Sequence, residues 1–382
     1  MATIIVAPAT TFAPASPVVG DIVFGDTGGT LTGRALAQTF DFVSTRSTTF
    51  GDAWEIRGSG RGGADRFHIR AVDNDPVYDR LYGDADTLSD SAKGGNDRIT
   101  TRGSTGPIWV YGDAHQMTGE TRGGDDHIDG DAQTEIIGDA FELNDKAVGG
   151  DDKLFVRHSG VGDAYGMNDQ ARGGDDVIYG RRADISLTGD ADSMKGDTRG
   201  GDDRIYDNAG KSFLYGDALY MSIRAAGGDD FLNSRAGGSE LYGDALGMYD
   251  TAKGGNDVLS GSSGRDLLVG EAWYLLDETI AGDDVLLGGK GNDLLYGDAI
   301  SFDTTVVLGR DRFVFGGASG KDTIGDFEQG KDVIDVRALG YTGIGQLSIE
   351  VVGSDSIVHF RGANQVTVLS VTALTATDFL FA

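Results

Sequence analysis

Apolar side chains recur along this chain in three columns with a period of about 27 residues. Five residues after a repeated Gly, the side chain is Ile, Leu, Met or Phe in all ten copies, from Ile56 to Phe302. Two residues after a repeated Asp, it is Phe, Ile or Leu in all ten copies, from Phe67 to Phe313. Leu, Val or Ile stands two residues before the repeated Gly in eight copies. Three apolar ladders at one period predict stacked coils that share a continuous core.

The segments between the glycines suit short strands. They are rich in β-branched and aromatic residues and end in Gly, and with 62 Gly in 382 residues a long helix would not survive. We therefore predict an all-β solenoid of about ten 27-residue coils over residues 51–310. A β-rich N-terminal cap is expected over 1–50 and a C-terminal cap over 311–382.

Acids dominate the polar positions of the repeat. Gly-Asp-Ala or a close variant begins each copy, and a second Asp follows fourteen residues after its Gly. The first position holds Asp52, Asp84, Asp113, Asp139, Asp163, Asp190, Asp217, Asp244, Glu271 and Asp298. The second holds Asp65, Asp97, Asp126, Asp152, Asp176, Asp203, Asp230, Asp257, Asp284 and Asp311. A third, one residue before the second, holds Asp125, Asp151, Asp175, Asp202, Asp229 and Asp283, with Asn256 in one copy.

These positions hold 26 of the 61 acids and explain most of the net charge of −29. Two carboxylates at a strand spacing of ~4.8 Å repel by about 0.9 kcal/mol in water and about 3.5 kcal/mol at an effective dielectric of 20. The aligned bases Arg61, Lys93, Arg122, Arg172, Arg199 and Lys253 occur in only six copies. Turn formation explains single Asp and Gly residues but not columns of them. The pattern therefore predicts multiple Ca²⁺ ions, held by carboxylates and by carbonyls of the Gly turns.

Composition and motifs exclude several function classes. The negative charge disfavours nucleic acid as a partner, and no apolar window is long enough for a transmembrane segment. The chain has no Cys, which excludes disulfides and thiolate sites. It contains neither a His-Glu-x-x-His nor a Gly-x-Ser-x-Gly motif. We predict that it is not an enzyme.

Residues 288–296, GGKGNDLLY, match Gly-Gly-x-Gly-x-Asp-x-apolar-x, and GSSGRDLLV at 261–269 matches less fully. The chain here resembles the RTX (repeats-in-toxin) calcium-binding nonapeptide proteins. The resemblance adds Asp266 and Asp293 as ligands and implies a right-handed parallel β-roll with Ca²⁺ in its turns. Each unit here contains three nonapeptides rather than two. The extra one is either a third side of the coil or a protruding loop, and the Met column favours a third side.

The tail, DRFVFGGASGKDTIGDFEQGKDVIDVRALG followed by a terminal DFLFA, resembles the C-terminal domain of serralysin-type proteases. That resemblance implies export by type I (ABC) secretion machinery and an extracellular location, either free or associated with the cell surface. Scarce cytosolic Ca²⁺ would leave the chain unfolded, and Ca²⁺ outside the cell would fold it.

Two functions remain open. The first is a structural rod rigidified by Ca²⁺ in a surface layer, matrix or filament, stacking head to tail as a homo-oligomer through its two caps. The alternative is a calcium-dependent adhesin or lectin-like module that contacts sugar through its irregular coils (66–160) and a tyrosine column. If it does not bind sugar, the tyrosine column is a structural ladder along the strands. Its members are Tyr82, Tyr111, Tyr215, Tyr242 and Tyr296.

Overall fold

The computed structural model describes residues 2–6, 10–72 and 78–382, and it is built almost entirely of strands and turns. The chain forms two compact units, Met1–Gly201 and Asp202–Ala382. Helix in the described part is limited to three 3-10 turns, Arg337–Leu339, Ile344–Gln346 and Ala376–Asp378. None of the described helices has the length and apolar character needed to cross a membrane.

The strands of the first unit are short and follow one another at regular intervals. In chain order they are β1 (Thr3–Ile5), β2 (Thr11–Phe12), β3 (Val18–Val19), β4 (Ile22–Phe24), β5 (Thr30–Leu31), β6 (Thr39–Thr45), β7 (Thr48–Phe50), β8 (Ala53–Ile56), β9 (Arg66–Ala71), β10 (Asp79–Tyr82), β11 (Ala85–Leu88), β12 (Arg98–Thr101), β13 (Ile108–Tyr111), β14 (Ala114–Met117), β15 (His127–Asp129), β16 (Thr134–Ile137), β17 (Ala140–Leu143), β18 (Lys153–Val156), β19 (Ser159–Val161), β20 (Ala164–Asp169), β21 (Val177–Gly180), β22 (Ser186–Thr188) and β23 (Ala191–Gly196).

These strands form three parallel sheets, and each coil contributes one strand to each sheet. Sheet 1 has the order β1-β4-β7-β10-β13-β16-β19-β22, and sheet 2 the order β5-β8-β11-β14-β17-β20-β23. Sheet 3 has the order β2-β6-β9-β12-β15-β18-β21, and β3 also pairs with β6. A coil runs from sheet 1 through its Gly-Asp-Ala corner to sheet 2, and then through a Gly-Gly segment to sheet 3.

The second unit repeats this plan, and one of its sheets ends in three strands that pair antiparallel. Its strands are β24 (Arg204–Asp207), β25 (Phe213–Tyr215), β26 (Ala218–Ile223), β27 (Phe231–Ser234), β28 (Glu240–Tyr242), β29 (Ala245–Met248), β30 (Val258–Ser260), β31 (Ser263–Gly264), β32 (Leu267–Val269), β33 (Ala272–Leu275), β34 (Val285–Leu287), β35 (Lys290–Gly291), β36 (Leu294–Tyr296), β37 (Ala299–Phe302), β38 (Arg312–Val314), β39 (Lys321–Ile324), β40 (Val333–Asp335), β41 (Ser348–Val352), β42 (Asp355–His359), β43 (Gln365–Val368) and β44 (Phe379–Leu380). Its three sheets run β25-β28-β32-β36-β39-β43-β42-β41, β26-β29-β33-β37 and β24-β27-β30-β34-β38-β40-β44, and β31 pairs with β35.

The predicted all-β parallel solenoid is confirmed, with about 11 turns of roughly 27 residues in the two units together. The sequence showed ten of these turns, and the structure adds one that begins at Gly25. Gly25 N–H donates to the Phe50 carbonyl at 3.1 Å, just as Gly51 N–H donates to Tyr82 at 3.0 Å. The segment from Gly25 to Gln38 is one residue shorter than the corresponding segment of the other turns, and Gln38 stands where they have the second Asp. The repeat is therefore not recognisable at this turn from the sequence.

The extra nonapeptide of each coil forms sheet 2 and is therefore a third side of the solenoid. Its strands are in parallel register, with Met167 opposite Met194, and both side chains are fully buried. The Met column is core, as its periodicity predicted. Its last member, Phe302, is 43% exposed because β37 ends the sheet 2 order of the second unit.

The tyrosine column is a stacked structural ladder. In the first unit it continues upstream into two phenylalanines, so that Phe24, Phe50, Tyr82 and Tyr111 stack with ring centroids 4.8–5.0 Å apart. In the second unit Tyr215 stacks on Tyr242 at 5.2 Å. Apart from Tyr296, which is half-buried, the tyrosines are buried, so their faces pack on neighbouring rings.

Candidate metal centre

The acids of the Gly-Asp-Ala corners form a first acid column, inside the molecule. All ten, from Asp52 to Asp298, are fully buried. Their carboxylates accept a hydrogen bond from the backbone N–H of a Gly eleven residues later, for example Gly63 to Asp52 at 2.7 Å and Gly124 to Asp113 at 2.9 Å. Each of these acids therefore closes the third side of its own coil.

The acids at the start of sheet 3 form a second acid column, Asp65 to Asp311, which is also buried. Here the hydrogen bonds run between coils. Asp97 N–H donates to Asp126 Oδ1 at 2.6 Å, and Asp126 N–H donates in turn to Asp152 Oδ1 at 2.6 Å. This column joins each coil to the next.

The two columns lie side by side along the Gly-Gly segments. A Cβ built on Gly63 would stand 3.1 Å from Asp52 Oδ1 and 3.2 Å from Asp65 Oδ1. A Cβ on Gly112 would stand 2.0 Å from Asp126 Oδ2 and 1.7 Å from the Gly138 carbonyl oxygen. Only glycine leaves room where a buried carboxylate and the backbone of the next coil come this close.

Several carboxylate oxygens in these columns have no hydrogen-bond partner. Among the described atoms, Asp113 Oδ1 and the Oδ2 atoms of Asp97, Asp126 and Asp152 are buried without a donor. These four acids form no salt bridge with a described Lys, Arg or His. An ionised carboxylate buried in this way is costly unless a positive charge or a proton compensates it.

The raised pKa values of the acids in both columns reflect this cost. Burial is the main cause and neighbouring acids add to it, so that the pKa of Asp52 rises to about 7 and that of Asp65 to about 11. The pKa of Asp126 lies well above its usual value because it is buried and faces the charges of Asp113 and Asp152. The acids therefore repel one another between the two columns as well as within each column.

The third predicted set is separated from the other two. Asp125, Asp151, Asp175, Asp202, Asp229 and Asp283 are exposed, because adjacent residues of an extended chain point to opposite sides. They form an exposed acid column, in which Asp175 N–H donates to Asp151 Oδ1 at 3.1 Å and Asn256 N–H donates to Asp229 Oδ1 at 2.8 Å. Water screens these charges.

The nonapeptide acids lie at the start of sheet 1 in the second unit, away from the first two columns in the coil. Ser239 N–H donates to Asp266 at 2.9 Å, Asp266 N–H to Asp293 at 2.9 Å, and Asp293 N–H to Asp322 at 3.0 Å. Burial raises the pKa of Asp293 to about 6 and that of Asp322 to about 7. This side therefore carries fewer acids than the first two columns.

Sequence analysis missed three acids that continue the columns into the tail. Asp322 extends the nonapeptide acids, and Asp332 accepts the N–H of Asp311 at 3.0 Å. Asp326 accepts three N–H groups, from Gly297, Asp298 and Ala299, at 2.8–3.1 Å. The signal was present, because Gly325-Asp326 follows Gly297 by 28 residues, but Phe replaces the Ala of the template.

The candidate ligand atoms of all these acids are oxygens, which suit a hard divalent cation such as Ca²⁺. In the described part of the chain, however, no group of three or more His, Asp or Glu side chains is already gathered closely enough to hold a metal ion. The buried columns bring carboxylates together without a compensating positive charge, and several of their oxygens have no hydrogen-bond donor.

No protein-family model matches this chain, and no curated protein matches it either. The solved structures that do match include the extracellular lipase LipA from Serratia marcescens, with 17% sequence identity over 69% of this chain and a TM-score of 0.23. The match spans 45% of the length of the lipase. A TM-score this low carries no argument, and the fold assignment stands on the strand pairing alone.

Proposed function

We propose that this chain is a secreted, calcium-binding RTX-type structural protein, a rod that extracellular Ca²⁺ folds and rigidifies. The observation that carries the proposal is the pair of adjacent, buried acid columns, in which every coil from Asp84 to Asp152 contains at least one buried carboxylate oxygen without a hydrogen-bond donor. The matching nonapeptide at 288–296 supports calcium as the cation.

The first and second acid columns would hold the metal. When bound, Ca²⁺ would supply the positive charge that these columns lack, without the protons they otherwise need. The chain's own groups already orient the carboxylates. Gly124 N–H holds Asp113 within its coil, and Asp97 N–H holds Asp126 across coils. The exposed acid column would bind more weakly because water competes for it.

Calcium dependence would also fit export through type I machinery. An ion that binds only the folded state adds to stability through mass action. Without the ion, repulsion within the columns would keep the chain open for transport. In the folded protein the proposed export signal is part of a sheet, since β44 pairs with β40.

A role in a layer, matrix or filament is supported by two strands that have one unpaired edge within the described part of the chain. β1 ends sheet 1 of the first unit and carries Ile5, which is 58% exposed. β41 ends sheet 1 of the second unit and carries Val351 and Val352, which are about half exposed. Unpaired apolar edges favour the addition of further strands.

A calcium titration of the full chain tests the proposal. Far-UV circular dichroism at about pH 8 should show loss of sheet in chelator and recovery as Ca²⁺ is added. Asp126→Asn should move the titration midpoint to higher Ca²⁺, whereas its exposed neighbour Asp125→Asn should change it less. Sheet content and thermal midpoint unchanged by chelation would refute calcium-dependent folding.

A further inference from the structure

The outer face of sheet 3 in the first unit is strongly basic. Strands β9, β12, β15, β18 and β21 alternate buried and outward residues. Outward positions on these strands, and just after them, form a surface that we call the basic face: Arg66, His68, Arg70, Arg98, Arg102, His127, Lys153, Arg157 and Arg181. Seven are Arg or Lys. Asp129 is the one acid among the outward positions of these five strands, and the exposed Asp41 on the adjacent strand β6 pairs in register with His68. The chain as a whole carries −29.

The bases are aligned across strands. Arg66 pairs in register with Arg98, Arg98 with His127, and His127 with Lys153. Cations at a strand spacing of ~4.8 Å repel as the acids do, by about 0.9 kcal/mol in water. Such a column becomes favourable once an anion lies along it.

Asp129 shows how this face holds a carboxylate. Its oxygens lie 2.7 Å from Arg157, 3.4 Å from Arg181 and 3.5 Å from Arg102. Burial opposes ionisation, but the guanidinium groups outweigh it and lower the pKa of Asp129. Planar guanidinium groups recognise carboxylate and sulfate with paired hydrogen bonds, and Arg102 remains 79% exposed.

We propose that the basic face binds an acidic polysaccharide, a chain of sugars that carry carboxylate or sulfate groups. Bases spread over five successive coils suit a polymer with charges at intervals better than a single small anion. A cleft of about 400 Å³ at one end offers space for a sugar ring; three bases, His68, Arg70 and Arg102, and one acid, Asp41, are among its lining residues. The proposal does not depend on calcium binding.

Features around the face disfavour other polyanions. The exposed acid column runs along its edge, since Asp125 stands two residues before His127, and would repel a nucleic acid with one charge per ~1.7 Å. The rings of Phe155 and Tyr179 are covered by Arg181, at 3.9 Å, and Lys153, at 5.6 Å, which hinders base stacking. None of the strongly exposed large apolar side chains lies on these strands, so the face lacks anchors for a membrane.

The test measures binding of the full chain to immobilised polygalacturonate and heparin, with neutral dextran as the blank, both with Ca²⁺ and with chelator. Arg66→Gln/Arg98→Gln should weaken binding about tenfold or more. The matched control is Arg61→Gln/Lys93→Gln, two exposed bases on the same coils that pair with each other on the far side of the Gly-Gly segment. It should stay close to the unmodified chain. Added salt should weaken binding throughout.

Circular dichroism of every variant separates loss of binding from loss of fold. If the chain folds without Ca²⁺ and still binds the acidic polymers through Arg66 and Arg98, the calcium proposal fails and this one stands. Binding to neither polymer by a folded chain overturns it. So does equal weakening by both variant pairs, or binding confined to DNA or to vesicles of phosphatidylserine.

Discussion

Glycine and aspartate act as a pair at the corners of this molecule. The starting glycines face a buried carboxylate on one side and the backbone of the next coil on the other. Both contacts exclude a side chain, so the column of glycines is a packing requirement rather than a device for flexibility. The pairing was visible in the sequence, but the different environments of Asp125 and Asp126 were not, because they depend on which way the chain faces.

Gly112→Ala should destabilise the protein. Its Cβ would stand 1.7 Å from the Gly138 carbonyl oxygen, and relief requires backbone movement, so we expect a loss of about 1–3 kcal/mol or more. Urea unfolding in Ca²⁺-containing buffer measures the change. Gly33→Ala, where nothing lies within 4 Å of the new Cβ, serves as the control. Equal stability of the two variants would contradict the packing argument.

At the scale of strands and columns, the repeat places like charges in register, and burial strengthens the repulsion between them. Within each unit, second-column acids accept the N–H of their counterparts in the preceding coil, as Asp126 does from Asp97, so these acids cannot separate without breaking the hydrogen bonds between coils. The column therefore needs protons or cations. The three-sided coil was predictable in outline because the Met column marked a buried face.

The metal-free protein should be more stable in mild acid than in base. Burial raises the pKa of Asp52 from 3.8 to about 7 and that of Asp65 to about 11, so the folded state binds these protons more tightly than the unfolded state. This stabilisation is complete below about pH 4 and is lost as pH rises through about 7 and beyond.

In chelator, the thermal midpoint should therefore fall between about pH 5 and about pH 8. Calcium should reverse the trend because it competes with protons for the same carboxylates. Asp97→Asn should reduce the slope in chelator, and Asp125→Asn should leave it nearly unchanged. A chelated protein that melts higher at pH 8 than at pH 5 would contradict the assignment.

At the scale of the whole molecule, the proposed assembly and the proposed polysaccharide binding depend on surfaces that the repeat does not dictate. The strand edges β1 and β41 occur where the repeat ends, and the basic face occurs in one sheet of the first unit. Neither follows from the 27-residue template, since both arise from residues that vary between copies.

Val351→Lys should suppress calcium-induced assembly, if assembly proceeds by strand addition at β41. A charged residue on an open edge blocks pairing with another chain. Light scattering after addition of Ca²⁺ measures particle growth. Ile280→Lys is the matched control, because Ile280 is 38% exposed but is paired with the neighbouring coils on both sides, through Lys253 and Val307. Unchanged growth of the Val351 variant would exclude this edge.

The periodic features were readable from the residues alone: the parallel coils, the buried Met ladder and the presence of three acid positions. They follow from spacing, because a side chain that recurs at one offset must stack on its own copies. Folding decided the rest. The sequence alone left open that the Asp52 and Asp65 columns adjoin, that Asp125 faces water, and that bases from five strands share one surface. These depend on how the corners turn, which sets the neighbours of each column across the coil.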